Sequence, residues 1–266
     1  MTLPTVFIPH GAGPCFFMDW TRGPADTWDR TAAWLRGLVA RLPERPRAIL
    51  MISGHWEAPV FTVGSSEAPP MIFDYYGFPE ETYRLRFDAP GSPALAARVR
   101  ELLGAAGLPT AEDPVRGYDH GVFVPLLLST PEADIPVVQL SLRADLDPAA
   151  HLAAGRALGP LRDEGVLIVG SGMTWHNMAG FSPAFTARSQ AFDAWLAEAI
   201  ADPAGRDSAL SHWEEAPYAR QAHPREEHLA PLFVAAGAAA GDPGRVAFRD
   251  VAMDVALSGY EFGRAA

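Results

Sequence analysis

Short apolar runs rich in β-branched residues alternate along this chain with longer amphipathic stretches, and few architectures accommodate that alternation. The runs at residues 5–8, 48–53, 60–63, 83–87, 136–142 and 166–169 read as strands. The stretches at 26–42, 92–106, 148–163, 183–201 and 224–239 read as helices. Ser92-Pro93, Asp147-Pro148 and Ser182-Pro183 each put a capping side chain ahead of proline at a first helical position. The expected fold is α/β: a single three-layer domain with a largely buried mixed sheet flanked by helices. At 266 residues and 48% hydrophobic content, one catalytic domain over residues 1–266 fits at least as well as two small ones. No internal repeat or interdomain linker interrupts it. Segments 64–82 and 109–122, rich in Pro, Gly and aromatic residues, read as long loops over the mouth of a site.

Composition removes several classes of function. A net charge of −11 with no basic run argues against a nucleic-acid partner. All 21 basic residues are arginine, so Schiff-base chemistry and a P-loop lysine are excluded. Cys15 is the only cysteine; it rules out an intrachain disulfide and a thiolate zinc cage, and its CFFM setting reads as a buried small hydrophobe. The opening MTLPTVFIPHG lacks the basic and apolar regions of a signal peptide, and no apolar run approaches the roughly 18 residues of a membrane span. The expectation is a cytoplasmic protein with no membrane partner; a homo-oligomer is left open.

The histidines carry the chemistry. His10, His55 and His176 follow strand-like runs beside glycines, and His120 sits in a glycine-flanked loop; His223 and His228 bracket the HPREEH segment. Ligands in open α/β sheets bind beyond the carboxyl ends of strands, and imidazole is the commonest metal ligand. His10, His55 and His176 are thus expected at one sheet edge in a shared, metal-binding site. Pro224 is expected to open a helix with His228 one turn in. Asp119 could orient His120, Tyr118 and Trp175 could line an aromatic pocket, and Arg116, Arg143 and Arg225 are candidates for holding a substrate carboxylate. His151 and His212, on polar helix-like stretches, read as surface residues.

The pieces PHGAGP, ISGHW, YYGFP, YDHGVFVPL, PVVQLSL, GSGMTWHN and HPREEHLAPL run in order from residue 7 to about 238. As an ordered set the chain resembles the class III extradiol ring-cleaving dioxygenases, in the 4,5-DOPA dioxygenase branch, related to the catalytic subunit of protocatechuate 4,5-dioxygenase. The resemblance implies a catechol and O2 as substrates. It implies His10, His55 and His228 as metal ligands and His176 as the acid/base, which also approaches the metal when no substrate is bound. His120 is implied beside bound oxygen and substrate, and His223 on the substrate side. Where the protocatechuate branch has a glutamate ligand, this chain has His228, and Ala12 stands where glycine or serine is common. Fe(II) is expected for activity, while an all-histidine site would suit Zn(II) as readily. A zinc hydrolase on the same histidines and a non-catalytic binding module are the alternative readings.

Overall fold

The structure, a computed structural model, describes residues 1–263. In chain order the strands and helices are β1 (Thr5–Pro9), α1 (Asp29–Arg36), β2 (Ala48–Ala58), β3 (Phe61–Gly64), α2 (Pro93–Ala105), β4 (Thr110–Asp113), α3 (His120–Ser129), β5 (Val137–Arg143), α4 (Pro148–Leu158), β6 (Val166–Gly172), α5 (Thr186–Ala201), α6 (Arg206–Ser211), α7 (Ala219–Ala222), α8 (Ala230–Ala238), β7 (Gly244–Ala252) and β8 (Val255–Phe262). They build one eight-stranded sheet in the order β4-β3-β5-β2-β6-β1-β8-β7. The four central strands β5, β2, β6 and β1 run parallel. β3 joins β5 antiparallel, and the β7–β8 hairpin extends the other side antiparallel to β1.

Strand periodicity sorts the core into two apolar layers. Val6, Ile8, Ile49, Met51, Leu167 and Val169 face α1 and α3, meeting Leu35, Val122 and Phe123. Phe7, Leu50, Ile52 and Ile168 face the other way, toward Leu103 of α2, Leu158 of α4, Leu196 of α5 and Phe233 of α8. Burial of the central strands on both faces explains their near-continuous apolar sequence. The expected α/β three-layer architecture is therefore the observed one.

Several local expectations need correction. Residues 83–87 join no ladder: a 3-10 turn (Glu80–Arg84) leads into an extended stretch whose Phe87 and Ala89 are buried. Alternating burial there marks a cover strip over the α1/α3 face, not a sheet member. The helix expected over 224–239 starts only at Ala230, so His228 lies in the turn before it. Within 109–122, the presumed loop contains β4 and the first turn of α3. Of the three proline-led caps, Ser92 accepts from Leu95 N and Asp147 from Ala149 N, both at 3.2 Å, while Ser182 makes no cap bond. Cys15 is buried, as its apolar neighbours imply. His151 is not a surface residue. It is fully buried, with Nδ1 donating to the Asp147 carbonyl at 2.8 Å and Nε2 accepting from Arg143 N at 3.1 Å. No helix among the described residues is long and apolar enough to cross a membrane.

Candidate active site

Adjacent strands β2, β6 and β1 deliver the first donors. His10 follows β1 directly. His55 lies near the far end of β2, where the register against β5 shifts between Ile52 and Glu57. Beyond β6 the chain turns to His176, whose backbone N–H donates to the Ala222 carbonyl at 2.9 Å. His228 comes from the segment ahead of α8, and Gly172 lets that segment settle on β6. A Cβ at Gly172 would stand 2.1 Å from the His228 carbonyl oxygen, and Met173 N donates to that oxygen at 3.1 Å. His120 opens α3.

The proton on each ring can be placed from its partners. Ser171 Oγ donates its one hydrogen to the Gly121 carbonyl, so its 3.0 Å contact with His10 Nδ1 is a hydrogen bond from the ring. His228 Nδ1 lies 3.0 Å from Glu227 Oε1, and His55 Nδ1 lies 3.7 Å from Asp74 Oδ2. These carboxylates favour the Nδ1–H tautomer. Each of the three rings is left with a lone pair on Nε2. His55 Nε2 is 3.3 Å from His10 Nε2 and 3.2 Å from His228 Nε2.

Lone pairs that close repel unless a cation lies between them. Protons do not fill that role near neutrality. Burial, and then the neighbouring imidazoles, hold His10 and His228 well below the ordinary histidine range and lower His55 to about 3. A divalent metal does fit. Bonds of about 2.1 Å at right-angled to tetrahedral geometry set two nitrogens roughly 3.0–3.4 Å apart. Among the described residues two donor groups each lie within 4.8 Å, His10 with His55 and His120, and His176 with Glu227 and His228; the 3.2 Å contact between His55 and His228 joins the two.

Two carboxylates organise four of the five rings, and Ser171 holds the fifth, His10. Asp74 Oδ1 accepts from both Nδ1 (2.8 Å) and the backbone N–H (2.9 Å) of His120, while Oδ2 faces His55. Glu227 Oε1 accepts from His228 and, at 3.2 Å, from His176 Nδ1. Burial raises both carboxyls, but the histidine hydrogen bonds and neighbouring positive charge outweigh it and hold both below their ordinary values. The His176 ring lies flat on His228, with centroids 3.3 Å apart and planes 17° from parallel. Behind His55, the buried Asp119 accepts from Ser53 Oγ at 2.7 Å and Arg116 at 3.0 Å. Asp119 therefore braces the β2 side, and the His120 ring bonds to Asp74 instead.

The five histidines line one cavity of about 510 Å³, walled further by Trp20, Tyr75, Phe78, Met173 and Phe181. Tyr118, Trp175 and His223 lie outside its lining. The Tyr118 hydroxyl donates to the Val137 carbonyl at 2.8 Å, and Trp175 packs on Phe185. His223 is buried between Phe192 and Trp213, with Nε2 donating to the Thr174 carbonyl at 3.1 Å. The candidate arginines are also taken: Arg116 by Asp119, Arg143 by Asp145 and Asp147, Arg225 by Glu57. Asp74 carries one faint signal in the sequence, as an acid within the aromatic run IFDYYGF.

Residues 4–258 match the family described as the catalytic LigB subunit of aromatic ring-opening dioxygenase. A protein of Beta vulgaris named 4,5-DOPA dioxygenase extradiol is 41% identical over 240 residues, covering 88% of this chain and 86% of the relative. One of the same name from Portulaca grandiflora is 42% identical over 206 residues, covering 74% of each. The crystal structure of an uncharacterized protein from Escherichia coli K12 superposes with a TM-score of 0.74 at 30% identity, covering 98% of this chain and 100% of that one. The cavity of five histidines thus belongs to an extradiol aromatic ring-opening dioxygenase, and this chain is a member of the LigB family.

Proposed function

We propose that the enzyme cleaves a catechol of the DOPA type beside its two hydroxyl carbons, using O2 and a divalent metal held by Nε2 of His10, His55 and His228. The observation that carries this reading is the approach of His55 Nε2 to Nε2 of both His10 and His228, whose Nδ1 protons are hydrogen-bonded elsewhere, while Nδ1 of His55 faces Asp74 at 3.7 Å. Fe(II) is the expected working ion, and Zn(II) suits the same all-nitrogen donor set. When bound, the metal supplies Lewis acidity and, as iron, an electron path between ring and oxygen.

The remaining roles belong to side chains. His176 presents Nε2 to the cavity and takes a catechol proton there, because Glu227 already holds its Nδ1–H. Glu227 also stabilises the imidazolium that results. His120, tied through Nδ1 to Asp74, presents its own Nε2 beside His55, with ring centroids 3.9 Å apart, where it can donate to or accept from oxygen-bearing groups. Tyr75, Phe78 and Phe181 supply an apolar wall that limits water around the ring.

Oxygen uptake with the anaerobically Fe(II)-loaded protein, together with a yellow ring-opened product, tests the reaction. Absence of both across a panel of catechols overturns it. His176→Ala is expected to keep stoichiometric metal while kcat falls by about two to four orders of magnitude. A near-normal rate would remove His176 from the mechanism.

A further inference from the structure

Apart from histidines, the cavity lining contains two charged side chains, Arg22 and Asp254. Among the described residues neither has an ion-pair partner, whereas Arg116, Arg143 and Arg225 are all neutralised. Both charged residues are exposed. Arg22 lies two residues beyond Trp20, which is buried and packs edge-on against Trp28 with centroids 5.6 Å apart. Asp254 occupies the tip of the β7–β8 hairpin, where Met253 and Asp254 adopt φ of 51° and 68°. The Thr186 hydroxyl ties that tip down by donating to the Asp254 carbonyl at 2.7 Å.

Opposite charges that line one cavity without pairing are available to a dipolar ligand. The guanidinium offers paired N–H donors matched to a carboxylate, and a carboxylate matches an ammonium. We infer that Arg22 and Asp254 form a side-chain subsite: Arg22 takes the carboxylate and Asp254 the ammonium of a catechol bearing an α-amino-acid group. They are specificity residues, leaving the metal and proton-transfer groups to the histidines. This rests on the ring-cleaving reading above and assigns its substrate preference to two residues outside the histidine cluster.

The test uses the Fe(II)-loaded enzyme with four catechols: DOPA (zwitterion), 3-(3,4-dihydroxyphenyl)propionate (anion), dopamine (cation) and 4-methylcatechol (neutral). Arg22→Gln should lower kcat/KM for DOPA and the propionate about tenfold relative to 4-methylcatechol, the size of one charge-assisted hydrogen bond. Asp254→Asn should penalise DOPA and dopamine but spare the propionate. Arg22→Glu should reverse the propionate-to-dopamine preference, and every discrimination should shrink as salt rises. Equal effects on all four catechols, or none, would overturn the subsite. Equilibrium binding of the same series to zinc-loaded protein, read by tryptophan fluorescence, ranks them without turnover. If the wild-type protein turns over no catechol, the ring-cleaving reading fails by itself, and the binding ranks still decide the subsite.

Discussion

At the scale of single residues, the site is governed by two acids that were not among the expected site residues. Asp74 serves His55 and His120; Glu227 serves His228 and His176. Each acid therefore pairs one proposed metal ligand with one proposed proton-handling histidine. Removing such a partner typically costs about 10–100-fold in metal affinity. Glu227→Gln should show that loss in a competitive chelator titration. It should also lower kcat at saturating metal, because the amide can present its NH2 to His176 and favour the wrong tautomer. Glu227→Asp should recover part of both. A Glu227→Gln protein with normal metal affinity and normal kcat would leave the acid with only a packing role. The histidines were legible because each follows a strand-like run or flanks a glycine; an acid inside an aromatic loop has no period to reveal it. The burial of His151 is hidden in the sequence for a related reason. Its flanking sequence is polar, but both ring nitrogens bond to nearby backbone, which removes the cost of burial.

Elements were readable where one physical signal dominated. β1, β2, β5 and β6 stand out because β-branched runs buried on both faces have no helical alternative of comparable length. α3 does not, since HGVFVPLLLS is apolar all round and carries Pro125 inside the helix. β8, VALSGYEF, is buried at every position but has one β-branched residue and a Ser-Gly pair inside it, so no β-branched run marks it as a strand. The seat of His228 on β6 gives a prediction at this scale. Gly172→Ala would drive a methyl into the His228 carbonyl, whereas a Cβ at Gly104 of α2 meets nothing within 4 Å. Urea unfolding should show Gly172→Ala destabilised by about 1–3 kcal/mol and Gly104→Ala unchanged or slightly more stable. The Gly172 variant should also bind metal more weakly. Equal stability of the two variants would mean that the His228 segment can move away without cost.

For the molecule as a whole, buried neutral imidazoles link stability to pH. Burial lowers His223 to about 3, and it lowers His10 and His228 as well. An unfolded chain protonates these rings near 6.5, so below that pH the unfolded state binds more protons than the folded one. The stabilisation is fully present above about pH 6.5. It declines as the pH falls toward the folded values, by about 1.4 kcal/mol per unit for each group. Denaturant midpoints of the metal-free protein should therefore drop steadily from pH 7 to 4, and His223→Gln should flatten the slope by about one proton. An unchanged slope would place the acid sensitivity elsewhere. The shared acids carry a different consequence, for anyone redesigning the enzyme. Because one carboxylate sets the ring orientation of both a proposed ligand and a proposed proton-handling histidine, metal preference and proton handling would have no separate controls in these acids. Selecting for a new metal through these acids would retune the chemistry with it, so variants that change only one property must be sought at the cavity mouth.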